Sequence, residues 1–277
     1  MTAFINNVKT IILLGAMTGL FVAVGGMIGK EFLLPFLIMG FVMNIGAWFF
    51  SDKIAIKSMR GREVTESDNS DYYRLVDELR RRANLPMPRV YICPHEAPNA
   101  FATGRSPKKA AVAVTQGALK LLTNDELAGV LAHELAHIKN RDTLTSAIAA
   151  TVAGVFAFLA QWGFFFMGGR GRESNPLITI LIIVIAAVAA ALIKAAISRS
   201  REFVADADGA KIAGSPFGLI SALQKLEAYS GQIPLKQPNP AMNNMFIIEP
   251  FCGRTLTNMF ATHPKTEARI IELRKLA

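Results

Sequence analysis

The chain has 277 residues, 52% of them hydrophobic, and a formal net charge of +9. This apolar content excludes an ordinary water-soluble domain of this length and favours a membrane protein. The two cysteines, Cys93 and Cys252, lack the spacing of a zinc ribbon, and we expect both to be reduced structural thiols.

Four apolar segments predict membrane-spanning helices. Residues 11–28, 32–50 and 146–167 carry no charged side chain, and residues 177–197 carry only Lys194. Each segment is close to the roughly 20 residues that a helix needs to cross a bilayer. We therefore predict a mainly α-helical chain with transmembrane hairpins at residues 1–51 and 143–197. The first segment is interpreted as a retained anchor, because a second apolar span follows it closely.

The basic residues that flank the predicted spans indicate their orientation. One side has only Lys30, Arg170 and Arg172, whereas the other collects Lys9, Lys53, Lys57, Arg60, Arg62, Lys139, Arg141, Lys194, Arg199 and Arg201. Because positive charge favours the cytoplasm, both termini and both polar segments, residues 52–142 and 198–277, are predicted to be cytoplasmic. We expect the lipid bilayer as a partner and no nucleic acid, since the basic residues lie at helix ends without a nucleic-acid-binding module.

The first polar segment combines one helix with a small β-sheet. An amphipathic pattern predicts a helix over residues 71–84, and strand-like runs follow at Arg89–Cys93, Ala100–Gly104 and Ala110–Thr115. An exposed edge strand could bind an extended peptide through main-chain hydrogen bonds, or the sheet could only support the helices. The substrate-binding candidates are Asn99, Ala100, Phe101, Ala102, Thr103 and Gly104.

A metal-binding motif closes this segment. Residues 123–126 have the pattern of a capping box, and the apolar stripe that follows predicts a helix that carries His133-Glu134-Leu-Ala-His137. On a helix the two histidines stand one turn apart, where both imidazoles can bind one metal ion. The Glu134 carboxylate is then placed to take a proton from a water held by that metal.

The second polar segment offers a third ligand. Glu202 and Asp206 are one helical turn apart at the end of the fourth predicted span, so the second hairpin brings them to the motif helix. We predict Glu202 as the third ligand of one catalytic zinc ion, with Asp206 accepting the distal N–H of a ligand histidine. The alternative is a pair of solvated carboxylates on an exposed helix face.

Four stretches together resemble the HtpX-type membrane metalloproteases of bacteria, which are gluzincins related to the prenyl-protein (CAAX) endopeptidases. They are Asn99–Gly104, His133–His137, Glu202–Asp206 and Thr262-His263-Pro264. The resemblance implies a zincin-like α+β domain, zinc ligands at the two motif histidines and Glu202, and Glu134 as general base. It also implies that His263 steadies the transition state. Lys265 departs from the family pattern, in which a second proline often follows Thr-His-Pro.

The predicted function is a zinc endopeptidase that cleaves damaged or misfolded membrane proteins at the cytoplasmic face of the bacterial plasma membrane. Its task in quality control and stress response is implied by the resemblance. Two alternatives remain: a prenyl-protein processing peptidase, for which four spans are few, and a non-enzymatic zinc-binding scaffold. The scaffold has no need for a carboxylate at Glu134.

Overall fold

The computed structural model describes residues 2–68, 70–146, 148, 199–230 and 264–277. The third predicted span apart from Ser146 and Ile148, the fourth predicted span, the loop at residues 232–250, Cys252 and His263 lie outside these described ranges. The described part is mainly helical and carries a small mixed sheet, as the sequence predicts.

Two long apolar helices form the N-terminal hairpin. Helix α1 (Thr2–Ile28) and helix α2 (Leu33–Ser58) are joined by a 3₁₀ turn and contain the candidate membrane spans Phe4–Gly26 and Lys30–Phe50. The Asn44 amide of α2 donates to Thr18 Oγ1 (2.7 Å) of α1 and so ties the two helices together. Helix α2 continues to Ser58 without a break at the predicted boundary of residue 51, and the four-part division of the chain stays a prediction.

Four strands form the sheet, in the order β1-β2-β4-β3. Strands β2 (Arg89–Cys93), β3 (Ala100–Gly104) and β4 (Ala110–Thr115) have the predicted bounds, and β1 (Arg62–Val64) was not predicted. Strand β2 pairs with β4 in parallel, whereas β1–β2 and β3–β4 are antiparallel. Among the described residues, strand β3 therefore forms one edge of the sheet.

Alternating side chains bury both faces of the sheet. One face joins the main core, which also includes the six helices α3 (Asp71–Arg82), α4 (Gln116–Leu121), α5 (Asn124–Lys139), α6 (Arg199–Ala213), α7 (Phe217–Ser230) and α8 (Thr266–Arg274). The other face, with Tyr91 and Phe101, packs against Ala55, Ile56 and Met59 near the end of α2. The end of the apolar N-terminal hairpin thus forms the layer that covers this face of the sheet.

Helix α5 lies at the centre of this arrangement and contacts β3, β4, α3, α6 and α7. Its residues are buried on nearly every side, which places the H-E-x-x-H motif in the core. The Thr123 hydroxyl accepts from Glu126 N (3.4 Å), and Glu126 Oε2 accepts from Thr123 N (2.8 Å). This reciprocal capping box fixes where the helix begins.

Candidate metal centre

The two motif histidines face each other on α5. His133 is buried and His137 partly buried, their rings meet edge to face, and their Nε2 atoms are 3.1 Å apart. The spacing of four residues on a regular helix produces this arrangement.

Helix α6 brings Glu202 to the same point. Its Oε2 lies 3.7 Å from His133 Nε2, and its Oε1 lies 3.6 Å from His137 Nε2. The two helices approach closely because Gly209 faces His133: a Cβ at residue 209 would lie 2.9 Å from His133 Cα and N. His133, His137 and Glu202 thus offer three ligand atoms within 4.8 Å of one another.

Each of the two histidines has a carboxylate beside its Nδ1 atom, on the side of the ring away from Glu202. Asp206 Oδ1 is 2.9 Å from His133 Nδ1, and Asp142 Oδ2 is 2.9 Å from His137 Nδ1. These contacts favour the tautomers in which Nδ1–H donates outward and the Nε2 lone pair points inward. Asp206 lies where the sequence prediction requires it. Asp142 was not predicted, although it follows the motif helix by only three residues.

The donor set and its spacing fit a zinc ion. Tetrahedral ligands at about 2.0–2.1 Å from zinc lie ~3.3 Å apart. Burial lowers the pKa of His137, but its hydrogen bond to Asp142 and the nearby carboxylates outweigh burial and raise the pKa from 6.5 to about 9. The carboxylates around the two histidines therefore favour a positive charge at the two Nε2 atoms, and one divalent cation could bind both atoms.

Arg269 of α8 fixes the carboxylate behind His133. Its Nε donates to Asp206 Oδ2 (2.9 Å) and its Nη2 to Asp206 Oδ1 (2.7 Å), and its exposed fraction is 1%. Burial by itself raises the pKa of Asp206, but the Arg269 charge and the hydrogen bonds from Arg269 and His133 together outweigh burial and lower the pKa, so the group stays ionised. Sequence reasoning missed Arg269. The sequence feature that could have indicated its burial is its position one helical turn before Leu273, on the buried face of α8.

The predicted general base contacts the edge strand. Glu134 is buried, and its Oε2 accepts from the main-chain N–H of Ala102 (2.8 Å). The ends of the predicted substrate-binding stretch are engaged elsewhere: Asn99 N donates to Thr115 Oγ1 (2.8 Å), and Gly104 O accepts from Thr143 Oγ1 (3.0 Å). Phe101 points into the layer with α2. Only the middle of the stretch thus meets the candidate centre.

Cys93 and His95 do not contribute to the candidate metal centre. Burial raises the pKa of the Cys93 thiol to about 12, so this cysteine stays an unreactive thiol. His95, which begins a second His-Glu pair, has its Nε2 3.1 Å from Met59 O.

The comparisons with known proteins now identify the family. The sequence pattern of Peptidase family M48 matches residues 66–277. The chain belongs to this family. It is 48% identical over 277 residues to a "Protease HtpX homolog" of Desulforapulum autotrophicum, covering 97% of this chain and 89% of that protein. The "Protease HtpX homolog" of Syntrophobacter fumaroxidans is 47% identical over 280 residues, covering 98% of this chain and 99% of that protein.

Membership of family M48 confirms the resemblance seen in the sequence. It identifies the chain as a metal-dependent membrane protease, so the scaffold alternative is wrong. The crystal structure of Ste24p from S. mikatae is similar with a TM-score of 0.54 and 18% identity, covering 99% of this chain and 66% of that chain. At this identity the likeness concerns the fold alone.

Proposed function

We propose that this M48 protease is a zinc endopeptidase that cleaves damaged or misfolded membrane proteins at the cytoplasmic face of the bacterial plasma membrane. One observation carries the proposal: His133, His137 and Glu202 offer three ligand atoms within 4.8 Å, beside a carboxylate that contacts an edge strand. An unfolded segment can pair with an edge strand through main-chain groups of any sequence, which suits a quality-control protease.

Each residue of the centre has a proposed role. His133, His137 and Glu202 hold one zinc ion, which when bound supplies a Lewis acid that polarises the scissile carbonyl and lowers the pKa of water. Glu134 takes a proton from the attacking water and passes it to the leaving amine. Asp206 keeps the His133 ring in the ligating tautomer.

His263 is proposed to hydrogen-bond the oxyanion that develops on the substrate. The support is its sequence position, because α8 begins three residues later and is fixed to the centre by the Arg269–Asp206 pair. The middle of the Asn99–Gly104 stretch, where Ala102 meets Glu134, is the proposed substrate-binding edge.

The membrane setting is supported by the two candidate spans. The cytoplasmic orientation and the second transmembrane hairpin follow from the distribution of lysine and arginine and from the apolar runs of the sequence.

Metal analysis of the purified full chain in detergent tests the centre. We expect one zinc ion per chain, lost when His133 or Glu202 is replaced by alanine and retained in His95→Ala, the matched control from the other His-Glu pair. Zinc retained by both site variants would contradict the ligand set.

A substrate comparison tests the task. We expect chelator-sensitive cleavage of an unfolded membrane protein by the wild-type chain. Cleavage of a prenylated peptide alone would instead support the prenyl-protein processing alternative and overturn the quality-control proposal.

A further inference from the structure

Two polar residues are buried on the first membrane helix. Asn6 and Thr10 stand one turn apart on α1, and each is only 1% exposed. They begin a buried stripe that continues through Leu13, Met17 and Phe21. Polar groups in a membrane helix are costly unless they are paired, so a buried polar pair indicates a specific contact.

That contact is the segment that follows the motif helix. The Asn6 amide nitrogen donates to Asn140 O (3.0 Å), the carbonyl of the C-cap residue of α5, and to Asp142 Oδ1. Thr145 Oγ1 donates to Asn6 O (3.3 Å). Thr10 Oγ1 lies 3.1 Å from Thr145 Oγ1, and because the Thr145 hydroxyl hydrogen is already used, Thr10 is the donor in this second contact. The side chain of Asn6 thus holds the C-terminal end of α5.

Asp142 joins this contact to the candidate metal centre. Its Oδ2 faces His137 Nδ1 (2.9 Å), while its Oδ1 accepts from the Asn6 amide and forms an ion pair with Arg201 of α6 (Nε–Oδ1 2.8 Å). The carboxylate is buried, and it is held by two hydrogen-bonding groups, Asn6 and His137, and by the charge of Arg201. A carboxylate that orients a ligand histidine also sets how strongly that histidine binds metal.

We propose that Asn6 is a positioning residue for the metal ligand His137, so that membrane helix α1 takes part in building the zinc centre. This inference rests on the zinc site proposed above. Asn6 lies outside the M48 match, which begins at residue 66. Without the Asn6 amide, Asp142 Oδ1 keeps the ion pair with Arg201 but loses this directional hydrogen bond, and the carboxylate can turn away from the imidazole. Zinc affinity then depends on the docking of a membrane helix.

The zinc dissociation constant of the full chain in detergent tests this inference, measured by chelator competition together with the absorption spectrum of the cobalt-substituted protein. Changes around a ligand's hydrogen-bond partners typically weaken metal binding 10–100-fold, and we expect Asn6→Ala to raise the dissociation constant about tenfold. Asn6→Gln, which keeps the donor, should restore part of the affinity. Asn44→Ala removes the amide that joins α2 to Thr18 of α1 and should leave the zinc dissociation constant unchanged.

Two further variants separate the amide from the docking of the helix. Thr10→Val removes the neighbouring hydroxyl contact and leaves Asp142 untouched, so the dissociation constant should stay within about twofold of the wild-type value. In an Asp142→Ala background, Asn6→Ala should add no further loss, because both changes act through one carboxylate.

Several outcomes would overturn the inference. They are an unchanged dissociation constant and cobalt spectrum in both Asn6 variants, an equal loss in Asn44→Ala or Thr10→Val, or an undiminished effect of Asn6→Ala without Asp142. Failure of the zinc proposal looks different: the wild-type chain would then bind no zinc, or His133→Ala would bind it as tightly, and both proposals would fall.

Discussion

Replacing Arg269 by methionine removes a charge from the interior without a large change in side-chain length. Asp206 would keep His133 as a partner but lose two hydrogen bonds and the positive charge that holds it ionised. Breaking a buried ion pair by removing one partner costs about 3–5 kcal/mol. Because Asp206 also orients a proposed ligand, zinc affinity should fall by about 10–100-fold.

Two measurements on the detergent-purified chain check this reasoning, a thermal unfolding scan and a chelator competition for zinc. For a protein of this size the expected loss corresponds to a drop of roughly 10 °C in the unfolding temperature. Arg274→Met is the matched control, since Arg274 is exposed on the same helix. Arg269→Lys should fall in between, because an ammonium cannot make the bidentate contact. A methionine variant that melts and binds zinc like the wild type would refute the reasoning.

Three further predictions concern the motif helix α5 and the residue of α6 that packs closely against it. Glu134→Gln should retain zinc while peptide hydrolysis falls by about 10²–10⁴, measured as kcat on an unfolded substrate. Gly209→Ala should cost about 1–3 kcal/mol, seen as a lower unfolding temperature, because the new Cβ meets the His133 backbone. Burial raises the pKa of Glu126, but hydrogen bonds from Lys225 and Ser221 outweigh it and lower the pKa from 4.5 to about 2. Its stabilising effect is thus fully present above pH 4.5 and is lost as the pH falls toward 2, so Glu126→Gln and the wild type should converge in unfolding temperature there.

Each of these predictions has its own control. Glu96→Gln changes the exposed glutamate of the other His-Glu pair and should leave hydrolysis intact. Gly19→Ala adds a methyl group where no atom lies within 4 Å, so it should not destabilise the chain. A Glu134 variant that still hydrolyses peptide, an unaffected Gly209 variant, or a gap between Glu126→Gln and the wild type that persists at pH 2 would each contradict the corresponding argument.

Features encoded by neighbouring residues could be predicted from the sequence. Strands β2, β3 and β4 have their predicted bounds because turn-forming residues separate short runs of strand-forming residues. The motif helix begins at its predicted cap because Thr123 and Glu126 are only three residues apart. The proposed ligands His133 and His137 followed from helical spacing, and Glu202 followed from the prediction that a second hairpin returns the chain to the motif helix.

Features that depend on distant residues could not be predicted in this way. Arg269 contacts a partner 63 residues away and Asn6 a partner 136 residues away, and neither pairing leaves a local pattern. Strand β1 begins with the charged, exposed pair Arg62-Glu63 and exists because β2 offers an edge. In such a short strand, pairing with a neighbouring strand determines the conformation more than the intrinsic strand preference of the residues does.

Helix α2 runs without a break from its candidate membrane span to the sheet. Its candidate span ends at Phe50 and the helix ends at Ser58, so eight more residues at 1.5 Å each carry it ~12 Å beyond the apolar span. The sheet packs against this extension at Ala55 and Ile56, so in the proposed membrane setting the extension lies between the bilayer and the sheet. A substrate chain that leaves the lipid in extended form covers the same distance in about four residues. This geometry suits the proposed cleavage of membrane proteins close to where a segment leaves the bilayer.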